Sequence, residues 1–197
     1  WAGTPALAEA FARTGAGPIA TTSKDSALVE ALTGNLYTAH VTGAAGTTGV
    51  ALAEVYDADL TDKTKRLAAL SVRSQVGAGE SLLIAGFVLA GDAPRQVVVR
   101  AVGPGLTGSV ANYLANPEIK LWRLAGGEWT LVDSNDDWSG SADDAAAFAA
   151  AGMGALTAGS KDAALLVTLE PGIYTLQVNG AAGTSGVALV EIYEAAP

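Results

Sequence analysis

At 197 residues, half of them apolar, the chain is long enough for one or two domains with a sizeable core, and its richness in Gly with few aromatics favours a sheet protein with small-residue turns. A net charge of −9 argues against partners that need clustered Lys and Arg, namely nucleic acid and anionic membrane surfaces. The lack of cysteine excludes a disulfide scaffold and a thiolate metal site, and no apolar run reaches the length of a membrane-spanning helix.

The N-terminal stretch TPALAEAFART (4–14) reads as a short helix, with Thr4 as N-cap, Pro5 at the first helical position and Gly15 at its end. Beyond a Gly-rich link come SKDSALVEALTGNLYTAHVTG (23–43) and GVALAEVY (49–56), which have the pattern of strands. All of this recurs. Residues 1–60 align with 138–197 at a constant offset of 137, without a gap and with about half the positions identical. Trp1 meets Trp138, Phe11 meets Phe148, Tyr37 meets Tyr174, and GAAGTTGVALAEVY (43–56) meets GAAGTSGVALVEIY (180–193). Internal repeats dictate architecture. This one makes Trp1 a residue from the middle of a domain, so the chain reads as a piece of a larger precursor.

The polar run ADLTDKTKR (58–66) is the best domain boundary. It divides a half repeat at 1–58 from a complete repeat at 59–197. In the complete repeat, SLLIAGFVLAG (81–91) and RQVVVRAVG (95–103) are strand-like. The motif GPGLTG (103–108) spells the glycine spacing of a dinucleotide loop, but Pro104 removes a donor and no parallel crossover follows. It reads as a turn leading to a short helix near Ala111–Asn116. IKLWRL (119–124) and WTLVDS (129–134), joined by Ala-Gly-Gly-Glu, predict a hairpin. A second helix is expected over 141–152, with Ser141 as cap and Asp143 and Asp144 near its positive end. Strands at 164–169 and 173–179 flank Glu170-Pro171-Gly172, which suits a type II turn. The GTSG segment (183–186) reads as a hairpin-like turn before the last strand.

These elements predict an all-β fold, a mostly antiparallel β-sandwich or jelly roll with one short helix per repeat copy. The pattern L-x-L…G…L-V-x-S-x-D, then L-x-P-G-x-Y-T-x-x-V and a closing strand, covers residues 119–194. It resembles the bacterial pre-peptidase C-terminal type of β-sandwich. The first copy matches only the latter half of that pattern, at 23–56. The resemblance implies a non-catalytic accessory module of a secreted or surface protein.

Five oxygen-bearing residues, Asp133, Asn135, Asp136, Asp137 and Asp162, are the candidate ligands for Ca²⁺, which takes six to eight oxygens. Otherwise the Asp and Asn side chains cap a solvated turn. No other cofactor is expected. Trp122 and Trp129, flanking the hairpin turn, form a candidate platform for a sugar ring, against the alternative of packing in the sandwich. His40 is the sole histidine, and the second copy has Gln177 there. Without a partner base, nucleophile or metal triad, an enzyme is not expected.

With residues 59–137 as front half and 138–197 as back half, the chain holds one front half and two back halves. A lone back half exposes sheet edges, which leaves three resolutions: the two back halves pack about the single front half, the first stands alone as a small domain, or residues 1–58 are completed by another chain. The leading expectation is therefore a secreted structural protein of the bacterial surface or extracellular matrix. It is a filament or stalk subunit joined to identical subunits by strand addition or domain swapping. The alternative is a binding module for carbohydrate or another surface ligand.

Overall fold

The computed structural model describes residues 1, 3–59, 61–62 and 66–195. It divides into two compact units, Trp1–Leu67 and Ala68–Pro197.

In the first unit, helix α1 (Pro5–Thr14) forms as its cap residues dictate. The Leu7 N–H reaches Thr4 Oγ1, Pro5 opens the first turn, and Gly15 closes the last in a left-handed conformation at φ 76°. Trp1 stacks on Phe11 with ring centroids 5.4 Å apart, and its Nε1 donates to the Ala20 carbonyl at 2.8 Å. Residues 26–58 contain no strand. Their only regular element is a single 3₁₀ turn at Ala44–Gly46.

The second unit is the expected antiparallel sandwich. Its strands are β1 (Ala69–Val76), β2 (Leu83–Leu89), β3 (Arg95–Val102), β4 (Pro117–Ala125), β5 (Glu128–Asn135), β6 (Ala163–Leu169), β7 (Gly172–Gly180) and β8 (Gly186–Glu194), with helix α2 (Ala142–Ala150) between β5 and β6. One sheet runs β1-β8-β3-β6 and the other β2-β7-β4-β5. Alternate residues of every strand except the exposed edge strand β5 enter the space between them, among them Val97, Val99, Leu121, Tyr174, Leu176, Val178 and Val190. A second cluster, Val98, Trp138, Phe148, Met153 and Ala164, packs beneath α2. Strand β3 is covered on both faces from Val97 onward, which is why 97–102 is a nearly continuous apolar run rather than an alternating one.

Strand β6 pairs with β3, β7 with β2 and β4, and β8 with β1 and β3. Every ladder partner of the back half is therefore a front-half strand, and no two back-half strands are neighbours. The halves interleave like the fingers of two hands.

Several local expectations change for this reason. The hairpin β4–β5 forms as predicted, with Gly126 and Gly127 both at positive φ as a two-residue primed turn requires. The 170–172 and 180–186 connections are not hairpins, because each passes from one sheet to the other. Gly172 does not take positive φ, so no type II turn forms; a Cβ there would sit 3.2 Å from Arg123 Nε. No helix occupies Ala111–Asn116; a 3₁₀ turn at Pro104–Leu106 is followed by irregular chain, with Tyr113 bridging to Val187. The strands expected in 23–56 do not form, although the same pattern forms them in the second copy.

Candidate functional site

The interlock between the halves of the second unit rests on a few polar side chains. Asp162 is wholly buried. Its Oδ1 accepts the N–H groups of Gly103 at 2.8 Å and Gly105 at 3.0 Å, and Ser160 Oγ donates to Oδ2 at 2.7 Å. The glycine loop with the spacing of a phosphate cradle is thus filled by the protein's own carboxylate. Arg100 of β3 and Glu191 of β8 form a buried ion pair, with Nε to Oε2 at 3.0 Å. The same guanidinium donates to the Gly154 carbonyl and lies 5.1 Å from the centroid of Phe148, fastening the chain after α2 to the sheet. Arg123 of β4 donates to Pro171 O at 3.1 Å and lies over Tyr174, whose hydroxyl donates to Glu170 O at 2.7 Å. Asn135 Oδ1 accepts the Ala164 N–H at 3.0 Å.

At the offset of 137, the first unit reproduces the bonds that lie within one copy. Trp1 Nε1 to Ala20 O matches Trp138 Nε1 to Thr157 O at 3.0 Å. The Trp1 amino group donates to Asp25 O just as the Trp138 N–H donates to Asp162 O. Ser23 bonds Asp25 as Ser160 bonds Asp162. Ala45 and Ala182 both sit at φ 53°. The side chains that reach across to the front half in the second copy behave differently in the first. Asp25 is exposed, and Glu54 accepts the local hydroxyl of Tyr56 at 3.0 Å, which raises the Tyr56 pKa. The apolar positions diverge most. Tyr37 is 54% exposed where Tyr174 is 1%, Val41 64% where Val178 is 0%, and Leu32 56% where Leu169 is 3%.

The oxygen-bearing residues predicted to bind calcium do not converge. Asp162 is spent on the glycine loop. Asp133 Oδ1 accepts the neighbouring Ser134 N–H, and Asn135 Nδ2 donates to Asp137 O at 2.9 Å. Asp137 takes the Lys161 ammonium at 2.7 Å, and that bond with its attendant charge raises the Lys161 pKa. Asp136 is exposed. Among the described residues, no three His, Asp or Glu side chains are placed to share a metal ion.

Trp122 and Trp129 do come together. They line an open groove of about 360 Å³ with Ile84, Thr175 and Gln177. Trp129 stands 48% exposed, whereas Trp122 is half-buried with an Nε1 donor that has no acceptor among the described residues. His40 is exposed, in a stretch of the first unit without regular secondary structure.

The buried Arg100–Glu191 pair is not among the residues predicted from sequence. Its only signal there is a single Arg inside the apolar run of β3 and a single Glu inside that of β8.

No protein-family model matches the chain, and a search of curated proteins finds no match to it.

Proposed function

We propose that the protein is a non-catalytic structural module of an extracellular or cell-surface assembly, joined to its neighbour by strand complementation through residues 26–57. One observation carries this reading. Those residues have the strand sequence of β6, β7 and β8, but in the sandwich every ladder partner of such strands belongs to a front half, and residues 26–57 form no strand. Ten of their large apolar side chains, from Leu28 to Tyr56, are exposed. Unpaired backbone beside exposed apolar side chains is a template for pairing. The resemblance to pre-peptidase C-terminal modules supports the secreted setting.

The test is amide hydrogen exchange on the dilute, monomeric chain. Residues 26–57 should exchange at nearly unprotected rates while β3, β6, β7 and β8 are protected. A monomer in which 26–57 is as protected as 163–194 would sink the joining role, because the segment would already be satisfied.

A second reading has its own observation. The groove between Trp122 and Trp129 presents aromatic walls beside Thr175 and Gln177, a composition suited to a sugar ring. Polysaccharide that quenches or shifts tryptophan fluorescence in the native chain, but not in Trp129→Ala, supports it. Equal responses from the two proteins reject it.

A further inference from the structure

We infer that the partner of residues 1–57 is a surplus front half, a five-stranded segment built like residues 68–137, and not a second folded copy of this chain. This rests on the proposed joining role and names what is joined.

The second unit shows, position by position, what covers this sequence when it is covered. Asp162 closes on the Gly103-Pro104-Gly105 loop, so the partner brings a Gly-x-Gly loop to Asp25. Glu191 and Phe148 share Arg100, so it brings a buried arginine to Glu54 and Phe11. Tyr174 lies under Arg123, so it brings a second arginine over Tyr37. The partner is thus basic at the points of contact. Arg100 and Arg123 are two of the five Lys and Arg residues in 68–137, and they would meet a first copy in which residues 1–58 carry a net −3.

A glycine gives independent support. At Gly186 a Cβ would lie 2.5 Å from Tyr113 O and 2.6 Å from Leu114 N, so the crossing front-half backbone allows no side chain there. Gly49 is its counterpart in the first copy, and nothing lies within 4 Å of the Cβ it lacks. The first copy keeps a glycine whose only structural use is the close approach of a front half.

The local structure is already in place. The Trp1 Nε1 bond, the Ser23–Asp25 bond and the Ala45 turn have the geometry of the completed copy, and Trp1 meets Phe11 as Trp138 meets Phe148, although at 16° between ring planes rather than 43°. Binding therefore orders three strands rather than a whole domain, which lowers the entropic cost.

Residues 1–197 hold one front half and two back halves. If residues 1–57 displace residues 138–195 from the front half of another copy, the displaced strands lose every ladder that the incoming ones gain. Among copies of residues 1–197, swapping moves the uncovered back half without covering it.

The experiment extends the full chain by a second copy of residues 68–137 placed directly before Trp1, as residues 68–137 stand directly before Trp138. Hydrogen exchange is compared in the native and extended chains, with mass by light scattering. In the extended chain, which stays monomeric, amides of 27–57 should slow by at least about 100-fold, and Tyr37→Ala in that chain should abolish the gain while 138–195 stays protected. Protection of 27–57 that appears in the native chain in step with dimer or fibre mass overturns the inference in favour of a second copy, and leaves the joining role standing. An extended chain with 138–195 protected and 27–57 unprotected overturns both.

Discussion

Asp162 accepts the backbone N–H of Gly103 across 59 residues of sequence, and Asp25, its counterpart in the first copy, meets no such loop. The same carboxylate is a latch in one setting and a surface group in the other. Asp162→Ala strands the buried N–H of Gly103 and loosens the part-buried bond of Gly105, and the loss should be at least about 2 kcal/mol. Asp25→Ala removes only a local bond to Ser23 and should stay within about 0.5 kcal/mol. Urea unfolding of the two variants, followed by circular dichroism, measures the contrast. Equal midpoints would show that Asp162 does not hold the halves together.

The Arg100–Glu191 pair can be dismantled in two ways, with opposite expectations. Glu191→Ala leaves a guanidinium buried without its counter-charge, at a cost of about 3–5 kcal/mol. Replacing both residues with apolar ones of similar size, Arg100→Met with Glu191→Leu, should recover most of that loss, since a buried pair contributes little beyond the desolvation it offsets. Glu54→Ala should leave stability nearly unchanged. Denaturant midpoints of the single, double and Glu54 variants decide it.

The β-sandwich was legible because β4, β5, β7 and β8 carry strand patterns bounded by Gly and Pro, and the helix caps at Thr4 and Ser141 announce themselves locally. What stayed hidden was which strand lies beside which. A pattern such as AALLVTLEPGIYTLQV reads equally as a hairpin or as two strands in opposing sheets, since period-two alternation reports the buried face and not the neighbour. That ambiguity is why the first copy looked like three strands. Its residues form no strand, whereas the matching residues of the second copy, interleaved with a front half, form three. The partners of the acidic loop were hidden for a related reason. Spacing brings Asp133 to Asp137 close in sequence, but the outward neighbours they find, Lys161 and local amides, come from folding.

Glu118 ties β4 to β7 through Asn179, whose Nδ2 donates to Oε2 at 2.7 Å, with Lys120 at 3.2 Å from the other oxygen. The Asn179 bond, helped by Lys120, lowers the Glu118 pKa below its ordinary 4.5. A carboxyl with a lowered folded-state pKa adds stability that is complete above the unfolded value and is lost as pH falls through the folded one. Melting temperature should therefore drop as pH falls below 4.5, and Glu118→Gln should drop less over that interval. Parallel melting curves for the two proteins from neutral to acidic pH would remove Glu118 from the account.

Gly186 and Gly49 separate what the sequence requires from what the partner requires. Gly186→Ala drives a Cβ against the Tyr113 carbonyl and the Leu114 amide, backbone atoms that yield only by shifting the chain between β3 and β4. The expected cost is at least about 2 kcal/mol. Gly49→Ala meets open space and should be neutral within about 0.5 kcal/mol in the native chain. In the chain extended by a second front half, the same substitution should become as damaging to the protection of 27–57 as Gly186→Ala is to the native sandwich. A Gly49→Ala change that stays harmless in the extended chain would mean that residues 49–57 do not enter a sandwich in the register of β8.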